Sequence, residues 1–288
     1  MNPPSQAPVA PRFLLIVPPA ADVALAAEAM AGVWGGSAYD QRQILLKHMP
    51  LATGFQLDTA RAARTLAAAG LPAWDLPARV LDTLAEVQEV RGFTLTDTTL
   101  EAKLARGESL SLPWNAIELL LKARTSFEQT ATTETTKRKT NLAALAIGLP
   151  IGGTKTTKEQ SQQFGDTWFT LLCARRPGVV LRLGRDDLDY AGLGSAKGPG
   201  ALVNYLRLLE HIEPRCQGAV RDPRLEKAAG RIAPVPAEAR TSVTRSGKTR
   251  VAEALASADN AEAIAFAGQL LWLAEKLRRA GIAPGSSL

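Results

Sequence analysis

Cysteine and histidine are nearly absent from this chain, with two of each in 288 residues. Cys173 and Cys216 are too few for a disulfide framework, and neither belongs to a C-x-x-C pair. His48 and His211 have no cysteine or carboxylate at ligand spacing, which excludes the usual zinc patterns. Aromatic residues make up 5% of the chain, and the basic segments hold almost none. The interleaving of cations with stacking rings that single-stranded nucleic-acid binders use is therefore missing. No apolar run reaches roughly 18 residues, the length a membrane-crossing helix needs. The start, MNPPSQAPVAPR, lacks an apolar segment behind a basic one. The expectation is no secretory signal and a cytoplasmic location with both thiols reduced.

Catalytic motifs are lacking too. There is no G-x-S-x-G. Gly148 and Gly153 have the spacing of a phosphate-binding loop, but Thr154 stands where lysine is needed and Lys155 comes one residue late. Gly247-Lys248-Thr249 has Ser242 in place of the upstream glycine. Asp186, Asp187 and Asp189 do not follow the calcium-loop spacing and read as a solvated turn. The chain is thus expected to have no enzyme activity, no cofactor, no metal and no small-molecule substrate.

What is present is a positive balance of +6, unevenly placed. Residues 129–163 carry five Lys and Arg against two Asp and Glu, and residues 221–250 carry eight against three. The rest of the chain is slightly acidic. Length and patterning fit two compact domains plus tails.

Residues 1–11, with four prolines, read as a disordered tail. FLLIV then reads as a buried strand. In DVALAAEAMAGV, Asp22 is placed to cap a helix whose face carries Val23, Ala26, Ala27, Met30 and Val33. Ser37 is placed to cap a second helix, and Asp58 a third, TARAARTLAAAG, ended by Gly70. Short extended pieces follow the second and third helices. The stretches FLLIV, AAEAMAGVWGGSAYDQRQILLKHMP and LDTARAARTLAAAGLPAW make residues 12–78 a small strand-helix-helix-strand-helix-strand domain. It resembles the C-terminal domain of the bacterial ribosomal stalk protein and the related Clp-protease adaptor fold. That resemblance implies a small fold used to hold other proteins. The stalk family's lysine cluster and the adaptor's acidic loop have no counterpart in GGSAYDQRQ and PPAAD.

From residue 80 the period changes. Leu84–Val90 and Phe93–Thr96 alternate around Arg91-Gly92, and Leu100–Ala105 and Ser109–Leu112 around Arg106-Gly107, which reads as two hairpins. Further strands are expected at 117–122, 168–174, 179–183 and 188–190. A helix, GALVNYLRLLEHI, closes the run with Leu202, Tyr205, Leu206, Leu209 and Ile212 on one face. With its SLPWNAIELL segment, this part (80–214) resembles a bacterial pleckstrin-homology-like domain. The resemblance implies an antiparallel β-barrel with a C-terminal helix, interrupted by an insertion at 129–163.

Residues 215–247 read as a linker, and 249–281 as a terminal amphipathic helical segment. Partner-contact candidates are Leu142, Leu145, Ile147, Leu149 and Ile151 in the insertion, and Ile264, Phe266, Leu270 and Leu273 in the last helix. Lys137, Arg138, Lys139, Lys155 and Lys158 flank the insertion's apolar run and are candidates for an anionic surface. The α+β fold is expected to act as a protein-binding adaptor or scaffold. Two alternatives are a peripheral or anionic-lipid contact through 129–163, and weak, salt-sensitive nucleic-acid association through the basic linker.

Overall fold

The computed structural model describes residues 11–288 apart from 20, 54–57, 140–152, 176–177, 229, 233–234, 237–239 and 247–248. The chain forms a mixed α+β structure that divides into two compact units. The first unit holds residues 1–124, 168–231 and 262–288, and the second holds 125–167 and 232–261.

The first unit opens with β1 (Arg12–Ile16), α1 (Val23–Trp34), α2 (Ala38–Leu46), β2 (Leu51–Thr53), α3 (Thr59–Ala68) and β3 (Ala73–Pro77). Each of the three helices starts on a capping side chain. Asp22 accepts from the amides of Ala24 and Leu25, Ser37 from that of Asp40, and Asp58 from that of Arg61. These bonds satisfy amides that the helix itself leaves without partners. The strands form an antiparallel sheet in the order β2-β1-β3. Small residues on the helices, Ala26, Ala27, Ala62 and Ala63, are buried with Leu14, Ile16 and Leu66. Their size lets the helices approach the strands closely.

The last residues of the chain lie along β3. Gly285 N donates to Ala73 O at 2.7 Å, and Leu288 N to Asp75 O at 3.1 Å. Asp75 itself is wholly buried, with Arg12 Nη2 2.8 Å from its carboxylate. Thr59 Oγ1 donates to it at 2.6 Å and Ser287 Oγ at 2.5 Å. Burial pushes this carboxyl toward neutrality, but the bonds from Arg12, Ser287 and Thr59 outweigh it and hold the pKa below the ordinary value.

After α4 (Arg79–Asp82) come β4 (Val87–Leu95), β5 (Thr99–Leu104), β6 (Ser109–Pro113), a 3-10 turn (Trp114–Ala116), β7 (Ile117–Lys139), β8 (Gly153–Ala174) and β9 (Val179–Gly184). A 3-10 helix (Tyr190–Ala196), α5 (Ala201–Arg215) and β10 (Val220–Asp222) follow. Then come β11 (Val235–Pro236), β12 (Arg240–Ser246), β13 (Thr249–Asp259) and α6 (Ala261–Arg279). The large sheet has the strand order β11-β13-β7-β8-β9-β4-β5-β6, with β10 also pairing β7 and β12 also pairing β13. It is an open path, not the closed barrel expected from the sequence. Within the first unit, α5 buries Tyr205, Leu208, Leu209 and Ile212 on the sheet. α6 packs Gly268 against Leu171 and Leu121.

Several local expectations are corrected. Arg91-Gly92 is not a hairpin turn: β4 runs straight through it and absorbs the extra residue as a bulge between Val90 and Gly92. Of the strand expected at 188–190, Asp189 alone forms an isolated bridge, to Gly92, and Tyr190 already opens a 3-10 helix capped by Asp189. Leu202 and Leu206, placed on the buried face of α5, are about half exposed; Leu208 takes the core position instead. Residues 249–259 are not helical. Their alanine-rich run pairs with β7 from Thr249↔Lys137 to Asp259↔Phe127, and that pairing overrides the local helix preference.

Within the second unit, β7 pairs β13 and β13 pairs β12, both antiparallel. Asn260 ties the unit together by accepting from Ser126 N and donating to Ile232 O at 2.7 Å. Among the described residues of this unit only Thr125 and Asn260 are buried, and both are polar.

Candidate functional site

In the first unit, titratable side chains converge at the junction of β7 with the last turns of α6. Glu118 is the second residue of β7 and is 8% exposed. Its carboxylate accepts from the indole Nε1 of Trp272 at 3.1 Å and lies 3.7 Å from Arg279 Nη1. Arg279 also donates from Nε to Glu275 Oε1 at 2.9 Å. Lys276 Nζ sits 4.0 Å from the centre of the Trp272 ring. Burial lowers the pKa of Lys276 against the opposing pull of Glu118 and Cys173. Arg175, at the end of β8, is exposed beside them, with its amide bonded to Ala116 O.

These residues line two adjoining hollows. One, of about 320 Å³, is lined by Asn115, Ala116, Glu118, Arg175, Gly218 and Arg279. The other, of about 290 Å³, shares Glu118, Arg175 and Arg279 and adds Lys276. Asn115 and Gly218 also border a third hollow of about 680 Å³, whose wall includes Thr98, Pro113, Trp114 and Pro214. Trp114 is held there by its Nε1 bond to Thr96 O at 3.1 Å, with Arg215 stacked 6.0 Å from its ring centre.

The groove's carboxylate is already engaged by an indole and a guanidinium. The nearest thiol, Cys173, is fully buried, and burial pushes its pKa up, away from the reactive thiolate. Cys216, which follows the end of α5, is buried as well, and burial likewise pushes it up to about 11. No group of three or more His, Cys, Asp or Glu suited to a metal ion occurs among the described residues. The acidic run Asp186–Asp189 is occupied structurally. Asp186 pairs with Arg185, Asp187 with Arg91 at 2.6 Å, and Asp189 caps the 3-10 helix.

Ile264, Leu270 and Leu273 are buried, while Phe266 is 42% exposed. Leu142, Leu145, Ile147, Leu149 and Ile151 lie outside the described residues. So do the side chains of Arg138, Lys139 and Lys155. Lys137 and Lys158 are exposed in the second unit, and Lys158 Nζ is 3.4 Å from Glu134 Oε2. Among the described residues no helix is long and apolar enough to cross a membrane. The groove residues escaped the sequence reading; the one available signal was a lone glutamate inside the apolar run AIELLL. No family model, curated protein or solved structure matches the chain.

Proposed function

We propose that the protein is a non-catalytic adaptor or scaffold of the cytoplasm that works by binding another protein through the sheet of its second unit. One observation carries this reading. The described residues of that unit bury no apolar side chain, while Phe164 on β8 is 68% exposed and Val243 on β12 is 53% exposed. Sheets ordinarily gain their stability by burying one face, so the exposed apolar side chains among this sheet's described residues are suited to receive a partner. The β8 residues from Thr156 to Phe164 are all exposed. The pairing of β8 with β9 runs over Phe169–Ala174, and a strand edge left open beyond such a pairing is a natural template for adding another. The strand-helix-helix-strand-helix-strand order of residues 12–77 supports the likeness to stalk and Clp-adaptor domains, which hold other proteins.

The test is affinity capture at native expression level, with the full chain compared with a double variant, Phe164→Ser and Val243→Ser. A protein retained by the unaltered chain and lost by the variant supports the reading. Recovery of the same proteins with both sinks it. Flotation with anionic vesicles of phosphatidylglycerol separates the lipid alternative: co-flotation abolished by Lys137→Glu and Lys158→Glu would replace protein binding with membrane binding.

A further inference from the structure

We propose that the groove of the first unit, from Trp114 to Lys276, is a docking site for an acidic, partly apolar peptide segment of another protein. It is independent of the sheet in the second unit.

Charge complementarity is the first argument. Arg279 is neutralised by Glu118 and Glu275, at 3.7 Å and 2.9 Å. Arg175 and Lys276, which face the same hollow, make no ion pair within 4.0 Å among the described residues. The lining of this hollow therefore sets three cations, Arg175, Lys276 and Arg279, against the single carboxylate of Glu118. A planar guanidinium and an ammonium lining one hollow match an incoming carboxylate. Lys276 is half-buried, and burial disfavours its charge; a bound anion relieves that cost.

Shape is the second argument. The cationic end continues, past Asn115 and Gly218, into the hollow walled by Pro113, Trp114 and Pro214. A free phosphate ion fills only a small part of about 320 Å³, whereas an extended chain with acidic and apolar side chains reaches both ends. Gly218, where the hollows meet, has nothing within 4 Å of the position a Cβ would take. The backbone there leaves the passage open.

The test is fluorescence anisotropy of the full chain, at low salt, with a labelled ten-residue peptide of alternating glutamate and leucine. The expected result is saturable binding, weakened at least tenfold by the double variant Arg175→Glu and Lys276→Glu. Gly218→Leu, which fills the passage from an exposed position, is expected to weaken it comparably while the fold is retained. A peptide of alternating lysine and leucine is expected not to bind. Absence of saturable binding, or equal binding by the unaltered chain and both variants, overturns the proposal. Displacement of the peptide by millimolar orthophosphate overturns it too, making the groove a phosphate site.

Discussion

The indole Nε1 of Trp272 donates to Oε2 of Glu118 at 3.1 Å, joining the last helix to the start of β7 beneath the groove. This bond makes the floor of the groove a structural element. Glu118→Ala removes the acceptor and leaves a buried N–H without a partner, at a cost of about 2 kcal/mol. Glu118→Gln keeps an acceptor oxygen, costs less, and removes the one negative charge facing Arg175 and Lys276. Urea unfolding checks the order of the two stabilities. The acidic probe is expected to bind more tightly to Glu118→Gln than to the unaltered chain.

Asp75 links stability to acid. Its pKa in the folded chain is below the ordinary 3.8, so the unfolded chain binds this proton more readily. The contribution is present in full above the ordinary value and is lost as pH falls through the lower, folded one. Asp75→Asn is expected to cost about 3 kcal/mol at neutral pH, because it strips the charge from a buried, paired site. The gap between variant and unaltered chain should begin to narrow below about pH 3.8 and keep narrowing as pH falls through the lower, folded value. Denaturant titrations at pH 7 and pH 3 read this directly; a gap that persists unchanged in acid contradicts it.

Gly192 is constrained by a neighbour rather than by its own dihedral angles. A Cβ at this position would lie 2.0 Å from the carbonyl oxygen of Phe93 on β4. Backbone cannot swing aside as a side-chain tip does. Gly192→Ala is therefore expected to destabilise the first unit by about 2 kcal/mol, as overpacked sites do. Thermal unfolding checks it. Gly218→Ala, with open space around it, serves as the neutral comparison.

The two thiols should be silent in the folded state. Cys173 is 0% and Cys216 1% exposed, and burial raises both pKa values. Ellman's reagent at pH 8 is expected to find no fast-reacting thiol in the native chain and two in guanidinium. One fast equivalent without denaturant would show that the end of α5 opens readily.

The first domain was legible because its signals are local. Asp22, Ser37 and Asp58 mark helix starts by their chemistry, and Gly70 marks an end. The second unit was not. Residues 125–137 and 156–167 show no alternation of apolar and polar residues, because among them only Thr125 is buried. A strand that buries neither face fully leaves no period to read. Its partner, residues 249–259, is remote in sequence and rich in helix-favouring alanine, so only the pairing itself discloses it. Arg91-Gly92 misled for a related reason, since a bulge and a turn both use glycine. The groove assembles residues from β7, β8 and α6, and a single glutamate in an apolar run was its whole trace.

The central claim is that the second unit offers its exposed sheet to another protein. Phe164, 68% exposed on β8, is the place to look. A photo-reactive benzoyl-phenylalanine replacing it, in the full chain at native expression, should give a discrete light-dependent adduct with one protein. The same label replacing Tyr39, 69% exposed on the first unit, should not give that adduct. No adduct from position 164, or the same products from both positions, would contradict the account.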